Sequence, residues 1–283
     1  MSDQDDITEA DLDALAEAYN AGLAHERAGD IAAAVAAFRR ALEIDPADRG
    51  GVAVRLAALG EGPVPETAPP AYVATLFDQT APRFDEILVE QLGYAVPMML
   101  REMLEARGIG PVGRLLDLGC GTGLAGVALS DRAAEIVGVD LSEAMLDEAA
   151  ERDCYDALYI GDAVAFLTGE EEGQEEDDSR FDMIVATDML PYLGAVEALF
   201  AGAAACLVPG GRLAFSTERL PADAAPPEGY AVGPAHRFAH SLAYLEAQLA
   251  AAGFALEAAE PITVRFNEGE PVPGHLILAR HTG

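Results

Sequence analysis

Residues 115–124 read Leu115-Leu116-Asp117-Leu118-Gly119-Cys120-Gly121-Thr122-Gly123-Leu124, an apolar run that ends in alternating glycines and passes directly into a second apolar segment. This pattern predicts a buried strand, a glycine turn and the start of a helix. Residues without Cβ tolerate positive φ and leave room, so such a turn lets a ligand approach the backbone closely. Gly121, Gly123 and Gly126 also satisfy G-x-G-x-x-G, the dinucleotide fingerprint. The run alone does not choose between nucleotide-type ligands, so its surroundings have to.

From residue 113 onwards, short apolar strands alternate with helical patterns, which predicts a parallel sheet with helices on both faces. The first strand ends at Asp117 and a helix follows to about Arg132. Residues 135–140 form the second strand, and Ser142 caps a helix to about Arg152. Residues 157–160 are the third strand, followed by Gly161-Asp162; 181–186 are the fourth and 211–216 the fifth. A helix over 241–252 leads to two closing strands near 254–266 and 275–280. In such sheets ligands bind beyond the carboxyl ends of the strands, where the strand order reverses. Asp140, just past the second strand, is placed to accept hydrogen bonds from ribose hydroxyls, and Asp162, just past the third, to meet an adenine amino group. Each alone also reads as a helix cap. Three acids ending three successive strands are harder to dismiss.

The set Leu116-Asp117-Leu118-Gly119-Cys120-Gly121-Thr122-Gly123, Val139-Asp140-Leu141-Ser142 and Gly161-Asp162 resembles the cofactor site of class I S-adenosylmethionine-dependent methyltransferases. The resemblance covers residues 72–281. It implies an α/β fold, a Rossmann-like doubly wound sheet of seven strands with the last antiparallel and inserted between the fifth and sixth. It also implies an enzyme that binds S-adenosyl-L-methionine, releases S-adenosyl-L-homocysteine and uses Asp117, Gly119, Cys120, Gly121, Gly123, Asp140, Leu141, Asp162 and Ala163 as cofactor-binding residues, with Phe77 and Tyr94 from a lid. The runner-up is a nicotinamide-dinucleotide oxidoreductase, since the glycines and a later acid serve both ligands. Asp117 discriminates: a buried carboxylate beside the turn would crowd a pyrophosphate, whereas it suits the cationic amino acid portion of a methyl donor. The helix N-terminus after Gly123 would attract that cofactor's own carboxylate.

The order of an N-terminal repeat, Leu76-Phe77-Asp78, Arg83-Phe84-Asp85, Leu92-Gly93-Tyr94, Tyr192-Leu193-Gly194, Phe215-Ser216-Thr217-Glu218 and Phe238-Ala239-His240-Ser241 is similar to the bacterial group of predicted tetratricopeptide-repeat methyltransferases. That group does not supply an acceptor. Residues 9–59 are alanine-rich with helical periodicity, and Gly22, Ala34, Phe38, Ala41 and Pro46 fit one tetratricopeptide-like unit over about 15–48 with Gly29-Asp30 as its turn. Val52 to Leu59 starts a second, degenerate unit. One unit cannot bury its own apolar face. It is therefore either a docking surface for a peptide or protein partner, or a hairpin packed on the next domain or on a second copy in a homodimer. The expected organisation is a helical segment over 1–62, a Pro-rich extended linker over 63–71 and a methyltransferase domain over 72–283, its first helices, 72–107, forming a lid.

With 283 residues, 51% apolar, the chain is long enough for a substantial core. Its formal charge of −32, from 49 acidic and 17 basic side chains, repels phosphates and anionic headgroups and argues against nucleic-acid or membrane partners. Cys120, Cys154 and Cys206 are widely spaced, so neither a disulfide framework nor a thiolate metal site is expected. The acidic Met1-Ser2-Asp3-Gln4-Asp5-Asp6 is unlike a secretory signal and no apolar stretch is long enough to span a bilayer, so a cytoplasmic location is expected.

Methyl transfer is an in-line displacement that requires alignment and exclusion of water, and a base only when the acceptor must lose a proton. After the fourth strand, Thr187-Asp188-Met189-Leu190-Pro191-Tyr192 resembles the D-P-P-Y loop of amino methyltransferases but departs from it at Met189 and Leu190, which weakens the case for an amine. Asp188 and Tyr192 are candidates for positioning a small-molecule acceptor, and His240 is a third candidate that reads equally as a cap or core residue. Glu218 and residues 236–240 enter a region where this fold builds acceptor pockets. Arg237 or Arg265 either pairs with an acceptor carboxylate or, more simply in so acidic a chain, with a structural one. His236 and His240 lack the further ligands of a zinc site. The acidic run 170–178 reads as a solvated loop away from the ligand. A protein-directed methyltransferase, or an adaptor in which the repeat recruits a partner, remains the second functional class.

Overall fold

The computed structural model describes residues 8–169, 180–221 and 225–283, so the acidic run 170–178 lies outside the described residues. The chain opens with a helical hairpin, α1 (Glu9–Arg27) and α2 (Ile31–Ile44). Thr8 and Asp11 form a reciprocal capping box at the start of α1, and Asp30 caps α2 after a turn in which Gly29 takes φ +77°. The two helices approach at Gly22, where a Cβ would stand 2.4 Å from the Phe38 ring. Asp48 caps α3 (Val52–Ala58) by accepting the N–H groups of Val52 at 2.6 Å and Ala53 at 2.8 Å.

The hairpin is seated on the rest of the chain. Val54 of α3 is fully buried against Ala68, Val73, Tyr230 and Phe238. Tyr72 lies over Gly51, where a Cβ would come within 2.7 Å of its ring. The segment expected to be an extended linker makes strand-like bonds to the loop after the fourth strand. The Ala68 N–H donates to the Tyr192 carbonyl at 2.9 Å, and the N–H groups of Gly194 and Ala195 both donate to the Glu66 carbonyl at 2.8 Å.

The region after it divides into α4 (Pro70–Thr80), a 3₁₀ turn (Ala81–Arg83), a π-helical turn (Glu86–Gln91) and α5 (Val96–Ala106). Pro82, Gly93 and Pro97 interrupt what periodicity alone would run together. Then come β1 (Val112–Leu118), α6 (Leu124–Leu129), β2 (Ala133–Asp140), α7 (Glu143–Ala150), β3 (Ala157–Ile160), α8 (Ala163–Thr168), β4 (Phe181–Ala186), α9 (Glu197–Cys206), β5 (Leu207–Arg219), β6 (Tyr230–Val232), β7 (Phe238–His240), α10 (Leu242–Ala251), β8 (Phe254–Asn267) and β9 (Glu270–His281).

Among the described residues the sheet has nine strands, where seven were expected. The order β3-β2-β1-β4-β5-β9-β8, with β9 antiparallel to both neighbours, is the arrangement the resemblance implies. The two additional strands arise because β5 runs to Arg219, beyond the expected Ser216. Its extra residues pair with β7 (Glu218↔Ala239, Arg219↔His240), and β7 pairs with β6. Strands of three residues carry too little alternation to be read from a sequence.

Successive residues of β1 point to opposite faces, so Leu116 and Leu118 join one core cluster with Phe200 and Phe215 while Leu115 joins the other with Leu100 and Leu104. Burial of each such side chain contributes roughly 1.5–3 kcal/mol. The result is a rigid sheet whose carboxyl edge is free to build a site.

Candidate active site

The turn after β1 is held by its neighbour strand. The N–H groups of Gly119 and Cys120 donate to the Val139 carbonyl at 2.8 and 3.1 Å, and the Gly121 N–H donates to Asp140 Oδ2 at 2.8 Å. Gly119, Gly121 and Gly123 take φ of +64°, +55° and +88°, where a Cβ would be strained. Gly119 faces Met189, which a Cβ would meet at 3.1 Å, whereas Gly123 packs against Tyr155 and Arg152, at 3.0 and 3.2 Å from a Cβ. Asp140 Oδ1 accepts the Ser142 N–H at 2.9 Å. Burial raises the Asp140 pKa against these stabilising amides. With the Leu141 backbone N–H also acting on it, about three of the carboxylate's four acceptor positions are in use, which leaves capacity for a hydroxyl of a vicinal diol. Asp162 caps α8, its Oδ1 accepting the N–H groups of Val164 and Ala165, each at 2.9 Å. It therefore satisfies the capping reading while also facing the cleft.

The cleft encloses about 980 Å³ of space open to solvent. Gly119, Cys120, Gly121, Asp140, Leu141, Asp162 and Ala163 line one part of it, Phe77 and Tyr94 the lid, and Asp188 and Tyr192 the other end. These residues come from six separate segments. Asp117, Gly123 and His240 do not line it. Phe77 stacks edge-on against both Phe84 (5.7 Å) and Tyr192 (5.2 Å). Two aspartates clasp the lid to the sheet: Ser142 Oγ donates to Asp78 at 2.6 Å, and Thr122 Oγ1 donates to Asp85 at 2.5 Å, with Arg152 also on Asp85. Neither clasp was read from the sequence, although Phe-Asp recurring at 77–78 and 84–85 is the visible trace of both. Thr67 and Ala68 from the segment before α4, and Pro70 at its first position, also line the cleft, with no side-chain signal to announce them.

Asp117 lies beneath the turn with no solvent contact, and Tyr155 donates to its Oδ2 at 2.7 Å while its Oδ1 has no partner. Burial pushes its pKa up to about 7, with the Tyr155 bond opposing and Asp140 adding to the rise. Any effect on a ligand must therefore pass through the turn.

Past β4, Asp188 adopts φ +60° and its N–H donates to Ser216 Oγ at 3.0 Å. Arg237 reaches three partners, donating to Asp188 Oδ1 (2.5 Å), Glu218 Oε1 (2.6 Å) and the Tyr192 hydroxyl (2.9 Å), and Arg265 donates to the same Glu218 oxygen at 3.1 Å. Both arginines thus pair with carboxylates of the chain itself. Burial raises the pKa of Asp188 against the pull of Arg237, and lifts Tyr192 to about 12. His240 must be corrected as an acceptor-side candidate. It is fully buried, Nε2 donates to the Gly194 carbonyl at 3.0 Å and Nδ1 pairs with Thr217 Oγ1 at 2.7 Å. Burial depresses its pKa to about 4, so it is a neutral core residue that secures β7.

The donor set fits S-adenosylmethionine. Positive-φ glycines leave space for close approach, Asp140 retains acceptor capacity for a diol, aromatic rings cover the opening, and the orphaned Asp117 oxygen lies under the turn. Residues 116–213 match a family described as a methyltransferase domain. The matched segment runs from β1 into β5 and so takes in the strand ends that build the cleft. Curated relatives include ubiquinone biosynthesis O-methyltransferases of Coxiella burnetii (35% identical over 106 residues, 36% of this chain and 42% of the relative) and Hahella chejuensis (32% over 117 residues, 41% and 48%). The matched chain thus spans less than half the length of these relatives. Among solved structures, the [4+2]-cyclase SpnF shares the fold with TM-score 0.59 at 18% identity, over 78% of this chain and 98% of that one. The 1,6-didemethyltoxoflavin-N1-methyltransferase of Burkholderia thailandensis does so with TM-score 0.56 at 20% identity, over 78% and 93%. Among the described residues no helix is long and apolar enough to cross a membrane.

Proposed function

We propose that the chain is an S-adenosylmethionine-dependent methyltransferase acting on a small-molecule acceptor. The observation that carries this reading is the convergence of Gly119–Gly121, Asp140 and Asp162 from successive strand ends on one cleft whose far end presents Asp188 and Tyr192. The matched methyltransferase domain and the O- and N-methyltransferases similar to this chain support it. The bound cofactor supplies an electrophilic methyl on a sulfonium whose leaving thioether is neutral. The chain's part is to hold and exclude. Asp140 accepts from the diol, Asp162 faces the base, and the glycine turn leaves room for the amino acid portion of the cofactor to approach the backbone. Phe77, Phe84 and Tyr94 shut out water, and Asp188 with Tyr192 orients the acceptor.

Titration calorimetry with S-adenosylhomocysteine beside NAD tests this: binding of the first is expected, and binding of NAD alone would sink the reading. Asp140→Ala is expected to weaken S-adenosylhomocysteine by roughly 10- to 100-fold, as for a charged hydrogen-bond acceptor; unchanged affinity would refute the diol assignment.

The α1–α2 hairpin is read as one tetratricopeptide-like unit, supported by Gly22 meeting Phe38 at the helix crossing. Burial of Val54 and the cover of Gly51 by Tyr72 favour a structural role over a docking one.

A further inference from the structure

The acceptor end of the cleft has a charge pattern that restricts what can occupy it. All 17 basic side chains of the protein are arginines. Among the described residues no arginine or histidine lines the cleft, and residues 1–7, 170–179 and 222–224 contain neither. Its charged lining residues are Asp140, Asp162 and Asp188, all acids. The cation nearest the acceptor end, Arg237, is held behind Asp188 and Tyr192 with Nε, Nη1 and Nη2 each committed to a partner. Arg265 shares Glu218 with it, so two guanidinium groups face two carboxylates and the cluster is formally neutral. An anionic acceptor would therefore enter a space in which the chain itself supplies no counter-charge, in a protein whose net charge of −32 already repels it. A cationic amine meets the opposite difficulty. The surrounding acids hold it as an ammonium, which has no lone pair for attack.

The lining around Asp188 and Tyr192 is largely apolar or aromatic, with Ala68, Val73, Phe77 and Tyr94, and carries the hydroxyls of Thr67 and Thr187. One carboxylate interrupts it. Asp188 has its Oδ1 on Arg237, which leaves Oδ2 to accept from a ligand. The Tyr192 hydroxyl accepts from Arg237 and so keeps its own proton to donate.

We propose that the acceptor is an uncharged, largely apolar small molecule carrying an O–H or N–H group that donates to Asp188, with Arg237 as the residue that positions Asp188 and Tyr192 for it. This rests on the methyltransferase reading and narrows its substrate class.

The test combines transfer with binding. The protein is incubated with methyl-labelled S-adenosylmethionine and a metabolite extract of its source organism, and the labelled product is sorted by ion exchange and mild alkali. Label in a product that neither exchanger retains, and that alkali leaves intact, is expected. Label on an anion or cation exchanger, or released as methanol from a carboxylate ester, overturns the proposal. Label in acid-precipitable protein overturns the small-molecule reading instead, and absence of S-adenosylhomocysteine binding by calorimetry overturns the methyl-donor reading. Independently of turnover, the S-adenosylhomocysteine-saturated protein is probed by saturation-transfer NMR with benzyl alcohol, benzoate and benzylamine. Contact is expected for benzyl alcohol alone and is expected to weaken at least threefold in Asp188→Asn. Equal or stronger contact from either charged probe, or contact from none of the three, overturns the proposal.

Discussion

Asp117 has a carboxyl group sealed from solvent, with one oxygen bonded to Tyr155 and the other without a partner. Burial holds its pKa near 7, against an ordinary carboxylate value of 3.8. The folded protein therefore retains a proton that the unfolded chain loses. For an acid shifted upward, stability is present below the unfolded pKa and falls as pH rises towards the folded one, becoming level above it. Asp117→Asn keeps an acceptor for Tyr155 and removes the titration. It is expected to be near neutral at pH 4 and to stabilise the ligand-free protein by roughly 1–3 kcal/mol at pH 8, on the scale of an unsatisfied buried polar group. Urea unfolding across that range checks it, and a stability difference that does not change with pH would refute the assignment.

At the other end of the cleft, Arg237 matters through shape as well as charge. A planar guanidinium reaches Asp188, Glu218 and Tyr192 together, and an ammonium cannot. Arg237→Lys is expected to lower kcat by 10-fold or more with S-adenosylmethionine KM little changed, and to move the acidic limb of the kcat/KM profile upward as Asp188 loses its partner. A purely structural loss would lower active protein without moving that limb.

At the level of elements, the lid is joined to the sheet by two side-chain clasps, Asp78 with Ser142 and Asp85 with Thr122 and Arg152. Both touch segments that form the glycine turn or cap α7, so opening the lid must break them. With a net worth of about 1–1.5 kcal/mol each, loss of either is expected to speed S-adenosylhomocysteine release by roughly 10-fold. Stopped-flow release from Asp78→Ala and Asp85→Ala measures this, and unchanged rates would show that these bonds do not limit opening. The aspartates also show what the sequence could and could not reveal. Strands β1 to β4 were legible because they are apolar runs bounded by glycine and acid, and the cleft-lining Asp140 and Asp162 because they follow the ends of those strands. The clasps, the Tyr155 bond to Asp117 and the arginine cluster join residues 19 to 67 positions apart, whose pairing no local period encodes. Residues 63–70 read as a linker because prolines suggest extension, while their docking uses backbone groups, which every sequence possesses. His240 was misplaced for a related reason: its position just before a helix was visible, and its burial was not.

Over the whole molecule, the consequential contact is between the helical hairpin and the sheet. The core around Phe38 and the cluster around Val54 are both anchored in α3, through Val52 and Leu56 on one and Val54 on the other. The second cluster includes Ala68 and packs Tyr192, both of which line the cleft. A disturbance inside the hairpin should therefore reach the fold as a whole. Gly22→Ala supplies the sharpest disturbance, because its Cβ would stand 2.4 Å from the Phe38 ring and the helices must separate. Such overpacking costs about 1–3 kcal/mol. If hairpin and sheet form one cooperative unit, calorimetry of Gly22→Ala will show a single transition moved down by several degrees. Phe38→Leu, which removes the edge of the ring, will recover part of the loss in the double variant despite being destabilising alone. A separate low-temperature transition, with the main one unmoved, would instead make the hairpin an independent module and restore the docking reading of the repeat.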